Sequence, residues 1–338
     1  MVATLVQVAP AAPATAELLA LLARPAPDEA GPRRLPPRRD LFNEIVSEAI
    51  RTSFDTKTAR GIQYIIKAYG IGFGAAKAGE FSTAEVEFAR ADELLALHRA
   101  TFDAPALAFI NCLTLPYWAY FDYSRSRFDE ATAQTQAAIA NIIGLEPGIS
   151  VFHMARVQQL HNLTRVSFRR GDSEAGATLV HALLAYLGAG VTPALAGGWA
   201  PALLADTPPT LRADMFAQVF VEMASLLLYP PTRAARRELF ATAFGQLSGL
   251  AGAIDGWPFF QHWLTTYEAL LFADADAYEP LLVAYLASPP SHPLDLLTLA
   301  LLLELRRTSP HPAALAPSLH AYARRTLWLA ERHLALLA

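Results

Sequence analysis

A single cysteine, Cys112, stands among 338 residues. That excludes an intramolecular disulfide and any zinc site built on paired thiolates. It also suits a reducing compartment, so the expected location is the cytoplasm. Lysine is nearly as scarce: Lys57, Lys67 and Lys77 are the only three, and arginine supplies the rest of the 27 basic side chains. These mix with 31 acidic ones to a net charge of −4, without a basic block, so nucleic acid is not an expected partner. Signatures of covalent chemistry are missing too. The chain has no His-Glu-x-x-His, no Gly-x-Ser-x-Gly, no phosphate-binding loop of the Walker type and no strand-linked Gly-x-Gly-x-x-Gly. Its nine histidines are scattered, and Glu331 and His333, two apart, would leave a helix in different directions. No metal or other cofactor is therefore expected.

β-Branched residues are sparse, while alanine and leucine make up much of a hydrophobic fraction of 53%. Both are strong helix formers, so the fold class is all-α. Between Glu174 and Asp206 no side chain is charged at neutral pH. A membrane span needs roughly 20 apolar residues in one helix. Here Gly188, Gly190, Pro193, Gly197, Gly198 and Pro201 break the stretch, leaving only Ala177–Leu187. No span is expected, only a buried helix and an apolar loop. The apolar N-terminus lacks the basic segment of a secretory signal and is interrupted by Pro10 and Pro13, so it does not read as one.

Along the chain, residues 1–40 hold a short amphipathic helix over Thr15–Ala23 and a flexible Pro/Arg-rich linker over Arg24–Arg39. Asp40 suits a helix cap. Residues 41–187 carry repeated helical hairpins, residues 188–210 form an apolar Gly/Pro-rich loop, and residues 211–338 continue as helical hairpins. The clearest unit is Ile65–His98. Ile62, Ile65, Ile66, Tyr69 and Phe73 recur at helical steps; Gly79 supplies the corner; Ala84, Phe88 and Ala91 share one face of the next helix. Gly70, Gly72 and Gly74 lie inside the helical pattern and read as close helix packing.

These residues resemble the tetratricopeptide repeat family, whose second helix carries Ala, three residues, an aromatic, two residues, Ala. Ala84, Phe88 and Ala91 match it. In the first helix Ile71-Gly72 stands at the Leu-Gly position, with Ala68 and Ala75 replacing the family's aromatics. A second copy over 109–143 has Leu115, Trp118-Ala119 and Asp122, then Phe128, Ala131, Thr135 and Ala138. A third over 151–187 has Leu160, Leu163-Thr164 and Ser167, then the corner Gly171-Asp172-Ser173-Glu174-Ala175. The corners at Gly79, Ser126 and Gly171 are 47 and 45 residues apart, longer than the usual repeat of about 34. HEAT-type repeats of roughly 40–47 residues are the rival family. The resemblance implies a right-handed α-solenoid of about five to six antiparallel hairpins, with repeats of about 45 residues.

It also implies a concave groove lined by the first helix of each hairpin: Tyr69, Phe73 and Lys77; Tyr120, Tyr123 and Arg127; Gln158, His161, Arg165 and Arg169. Aromatic walls with cationic donors suit an extended protein or peptide segment bearing acidic groups or a C-terminal carboxylate. Each cation also has an ordinary reading as part of a solvated helix face. The implied function is a non-catalytic scaffold or adaptor, and the reading admits an oligomer. The alternative is an enzyme built on a closed (α/α)6 barrel, with Glu222, Asp255, Trp257 and Asp274 toward its interior. Against that, Asp274 and Asp276 read as helix caps, and Trp257, Phe259, Phe260 and Trp263 as core rather than a carbohydrate platform.

Overall fold

The computed structural model describes residues 13–23, 41–149, 151–195, 198–199, 201–250, 252, 254–287 and 294–337. The linker expected over residues 24–39 and the cap at Asp40 lie outside them. Every regular element among the described residues is helical, and no strand occurs there. In chain order the helices are α1 (Pro13–Ala23), α2 (Leu41–Ser53), α3 (Thr56–Lys77), α4 (Phe81–His98), α5 (Ala104–Ser124), α6 (Phe128–Leu145), α7 (Phe152–Arg170) and α8 (Ser173–Ala189). After them come α9 (Pro201–Ala205), α10 (Pro209–Leu226), α11 (Arg233–Phe244), α12 (Trp257–Phe272), α13 (Ala275–Ala287), α14 (Asp295–Thr308), α15 (Pro312–Thr326) and α16 (Glu331–Leu334). Among the described residues no helix is long and apolar enough to cross a membrane.

The chain divides into two compact units. A central unit comprises Pro37–Val219 and Leu250–Asp255; a terminal unit comprises Met1–Pro36, Phe220–Gly249 and Gly256–Ala338. In the central unit α3 packs on α4, α5 on α6 and α7 on α8, while α3 also meets α5 and α6 meets α7. Three successive hairpins result. Along α3 the buried residues Ile62, Ile65, Tyr69, Gly72 and Ala76 form one stripe at three- and four-residue steps, the spacing of one helix face. Its counterpart on α4 is Ala84, Phe88 and Ala91, each at most 1% exposed. Gly72 permits the contact, since a Cβ built there would stand 2.7 Å from Cδ1 of Phe88. The third hairpin uses the same pair in reverse order: a Cβ on Gly176 of α8 would meet the Phe168 ring of α7 at 2.9 Å.

The three corners share one backbone geometry. Gly79, Ser126 and Gly171 have φ of 80°, 61° and 93°. At each, two amides turn back onto the last helical turn. Gly79 N–H donates to Ala76 O and Glu80 N–H to Ala75 O; Ser126 to Tyr123 and Arg127 to Asp122; Gly171 to Phe168 and Asp172 to Ser167. This six-to-one plus five-to-two pattern is the Schellman motif, which needs a left-handed residue just past the helix end. Ser126 is the residue of the three that has a side chain to crowd that conformation.

The terminal unit is built differently. α12 packs on α11, α13 and α14, α14 packs on α15, and α1 packs against α13 and α15. The sequence reading grouped α1 with the linker; in the structure its partners are the C-terminal helices. The core is a chain of rings: Phe220 lies 4.8 Å from Phe260 and 5.3 Å from Trp263, which stacks on Tyr267 at 4.9 Å. Trp257, Phe260 and Trp263 are buried, as expected of core, and the Trp263 indole N–H donates to Leu297 O at 2.9 Å. Helix-end carbonyls here are met by arginines from distant helices. Arg233 and Arg237 donate to Leu271 O, Arg307 to Leu228 O and Arg325 to Leu22 O. Inside, Arg236 forks onto both carboxylate oxygens of fully buried Glu304, at 2.6 and 3.1 Å.

Candidate functional site

On the central unit, α3, α5 and α7 present one set of aromatic, amide and cationic side chains. Phe73 of α3 stacks on Tyr117 of α5 with centroids 4.5 Å apart, and Tyr120 meets Phe73 edge-on at 5.3 Å. These offset and T-shaped geometries are the ones favoured by the ring quadrupoles. Lys77 holds its ammonium 5.2 Å from the Phe73 centroid, within cation–π range. Beyond Tyr120 a cavity of about 200 Å³ opens between α5 and α7, with Tyr120, Tyr123, Asn162 and Arg165 among its lining. Arg165 donates to Asn162 Oδ1 at 2.6 Å, and Asn162 donates in turn to Gln159 at 3.0 Å, so the rim side chains are held in place.

Six of the residues expected in the groove keep a solvent-facing or half-buried place on these helices: Phe73, Lys77, Tyr120, Tyr123, Gln158 and Arg165. Arg169 is exposed in the last turn of α7. Tyr69 and His161 are corrections. Tyr69 is 3% exposed, because it belongs to the α3 stripe that faces α4, and its hydroxyl is donated to Asp92. His161 is 2% exposed on a helix packed on most of its circumference. Arg127 is displaced rather than buried. It sits at the corner before α6, ion-paired with Asp122 and 5.1 Å from the Phe121 centroid. Burial raises the Asp122 pKa, outweighing the pull of the Arg127 charge.

The sequence reading missed a second cluster in the same unit. Glu146, just past α6, pairs with Arg156 Nε at 2.9 Å and lies 3.4 Å from His153 Nδ1. His153 Nε2 is 2.5 Å from the Tyr186 hydroxyl. Arg156 donates to Gly198 O at 2.9 Å and lies 4.1 Å from the Trp199 centroid. His153, Arg156 and Tyr186 are all 0% exposed. Burial pushes the Tyr186 phenol up to about 12, so it stays neutral at physiological pH. A carboxylate, imidazole and phenol in line could relay a proton, but enclosed like this they fasten the segment at Gly198–Trp199 to the α7–α8 hairpin. The members come from four separate stretches, so no local spacing announces them. The apolar interval after Glu174 was the one hint, since Tyr186 and Trp199 are its only large polar-tipped rings.

A further cleft of about 490 Å³ lies where α3 begins, beside Lys57, Tyr64 and His98. Its acidic side chain, Asp55, is already committed to capping α3 through the amides of Lys57 and Thr58. Of the residues named for a closed barrel, Glu222, Trp257 and Asp274 belong to the terminal unit and Asp255 to the central one. Neither a family model, nor a curated protein sequence, nor a solved structure matches this chain.

Proposed function

We propose that the chain is a non-catalytic helical-repeat scaffold that binds an extended protein or peptide segment along the face of α3, α5 and α7. In this reading the hairpins repeat as an open, right-handed solenoid of the tetratricopeptide kind and offer one continuous surface. The three Schellman corners at a spacing of 47 and 45 residues support the repeat. So do the buried Ala84, Phe88 and Ala91, packed where Gly72 lets two helices approach. The observation that carries the binding role is the run of rings from Phe73 through Tyr117 and Tyr120 to the cavity beside Arg165. Such a surface gives apolar contact area, and its cations select acidic side chains or a C-terminal carboxylate. Specificity then comes from groove side chains and requires no covalent step. The protein acts as an adaptor or regulatory accessory, and one buried thiol, Cys112, suits the reducing bacterial cytoplasm in which we place it.

The test is an affinity pull-down from the native host with wild type and with Arg165→Ala/Arg169→Ala. Arg169 is exposed and Arg165 half-buried, so the double variant should keep its stability within about 1 kcal/mol. Loss of the captured partner supports the assignment. Undiminished capture by a folded variant refutes it.

A further inference from the structure

We propose that the cavity between α5 and α7 is an anchor pocket that takes the ring of one phenylalanine of the partner, with an acidic residue next to it in the partner's sequence. The inference rests on the groove reading above and goes beyond it by fixing the chemistry of two adjacent partner positions.

Size decides first. At about 200 Å³ the cavity falls below the roughly 300–1,000 Å³ of sites that hold a whole cofactor or drug-sized ligand. It admits a single side chain. The polarity of its walls decides next. The deeply buried lining residues are Ala119, Thr135 and Val166, at 6%, 1% and 6% exposure. The Thr135 hydroxyl is already donated to Ala131 O at 2.7 Å, so among these three side chains the only polar group left is the Thr135 oxygen, as an acceptor. Pro116, also lining the cavity, has no N–H to give. A hydroxyl or amide pushed to that end would exchange its several hydrogen bonds to water for little more than one, to the Thr135 oxygen. An apolar tip is therefore favoured, and with it phenylalanine over tyrosine. A ring is favoured over an aliphatic chain because the Tyr120 wall continues into the stacked pair Phe73–Tyr117. An entering ring extends that edge-and-face array.

Charge decides the neighbouring position. Arg165 stands at the rim, Arg169 is exposed one turn further along α7, and Lys77 lies over Phe73. Asp122 is 5% exposed and paired with Arg127, so its charge does little to cancel this field. A partner carboxylate beside the anchored ring is drawn to the Arg165 guanidinium.

The experiment measures fluorescence anisotropy with a labelled peptide, Ser-Gly-Phe-Glu-Glu-Gly-Ser, and three counterparts. One has Ala for Phe, one has Tyr for Phe, and one has Lys for both Glu. The full chain is titrated as wild type, as Ala119→Phe, which fills the cavity, and as Tyr120→Ala, which removes a wall at an exposed position and so guards against misfolding of the first variant. The expected result is binding of the Phe-Glu peptide at least tenfold tighter than each counterpart, with the Phe-over-Ala preference abolished in Ala119→Phe and reduced in Tyr120→Ala. Equal affinity for the Phe and Ala peptides overturns the proposal, as does a preference that survives both variants or an absence of binding at millimolar peptide. If the Phe and Ala peptides bind equally and Arg165→Ala weakens both, the anchor pocket fails while the groove stands. If the native partner is still captured by Arg165→Ala/Arg169→Ala, the groove itself fails.

Discussion

The two units solve the same problem, unsatisfied carbonyls at helix ends, by different means. In the central unit the backbone mostly does it alone. Each hairpin corner folds two amides back onto the final turn through a left-handed residue at Gly79, Ser126 or Gly171. In the terminal unit long side chains do it. Arg233, Arg237, Arg307 and Arg325 reach helix-end carbonyls 34 to 303 residues away in sequence. Arginine suits this role, since its guanidinium spans two acceptors and complements the negative end of a helix. The consequence is a difference in where stability resides. A local corner forms with its own helix, whereas an arginine clamp exists only once distant helices have docked. The central unit has such a clamp too, from Arg212 to Leu187 O at 2.6 Å, at the end of its last hairpin.

The sharpest break of this comparison is the loss of Glu304. It is fully buried and holds Arg236, itself 3% exposed, in a two-pronged ion pair. Glu304→Ala leaves a guanidinium buried without its counter-charge, which costs about 3–5 kcal/mol. Amide hydrogen exchange should show protection falling in α11, α12 and α14 while α3–α8 keep theirs. A uniform loss across both units would mean that they share one cooperative transition.

In the central unit the corresponding weak point is steric. Gly72→Leu places side-chain atoms where the Phe88 ring already stands and should cost at least about 1–3 kcal/mol by overpacking. Gly74 gives the control: a Cβ there meets nothing within 4 Å, so Gly74→Ala should be neutral or stabilise by up to about 1 kcal/mol through helix propensity. Urea titration of both variants separates the two glycines. Equal midpoints would remove the close α3–α4 approach as the reason for glycine at position 72.

The contrast in capping also explains what could be read in advance. A Schellman corner is written in a few adjacent residues, so Gly79 and Gly171 announce their turns, and Ala84, Phe88 and Ala91 announce the packed face after the first. The arginine clamps and the Glu146–His153–Arg156–Tyr186 cluster join residues that only the folded chain brings together, so no spacing rule finds them. Tyr69 shows a further limit. An amphipathic ring at a helical position serves a groove or a core equally well, and Asp92, 23 residues on, settles it by accepting the hydroxyl. That Phe73, Tyr120 and Arg165 keep a solvent-facing or half-buried place was legible, because each stands beside the buried positions of its own helix. The cavity bordered by Tyr120 and Arg165 was not, because it depends on the packing of α5 against its neighbours.

The smallest effect bears on the corners themselves. Ser126 holds φ of 61°, a conformation in which an L-residue's Cβ crowds the following carbonyl and costs roughly 1–2 kcal/mol. Ser126→Gly relieves that strain but gives the unfolded chain more freedom to lose. The net expectation is a gain of about 0.5–1 kcal/mol, read as a higher urea midpoint at unchanged slope. The converse, Gly79→Ser, imposes the same strain on the first corner and should lose a similar amount. If Ser126→Gly gains nothing while Gly79→Ser still costs stability, the second corner is relieved by its neighbours, and Arg127 is the one to examine: its amide closes the turn onto Asp122 O and its guanidinium pairs with the Asp122 carboxylate. That corner would then lean on a side-chain clamp of the kind that dominates the terminal unit, and the division between the two capping strategies would run through the second hairpin.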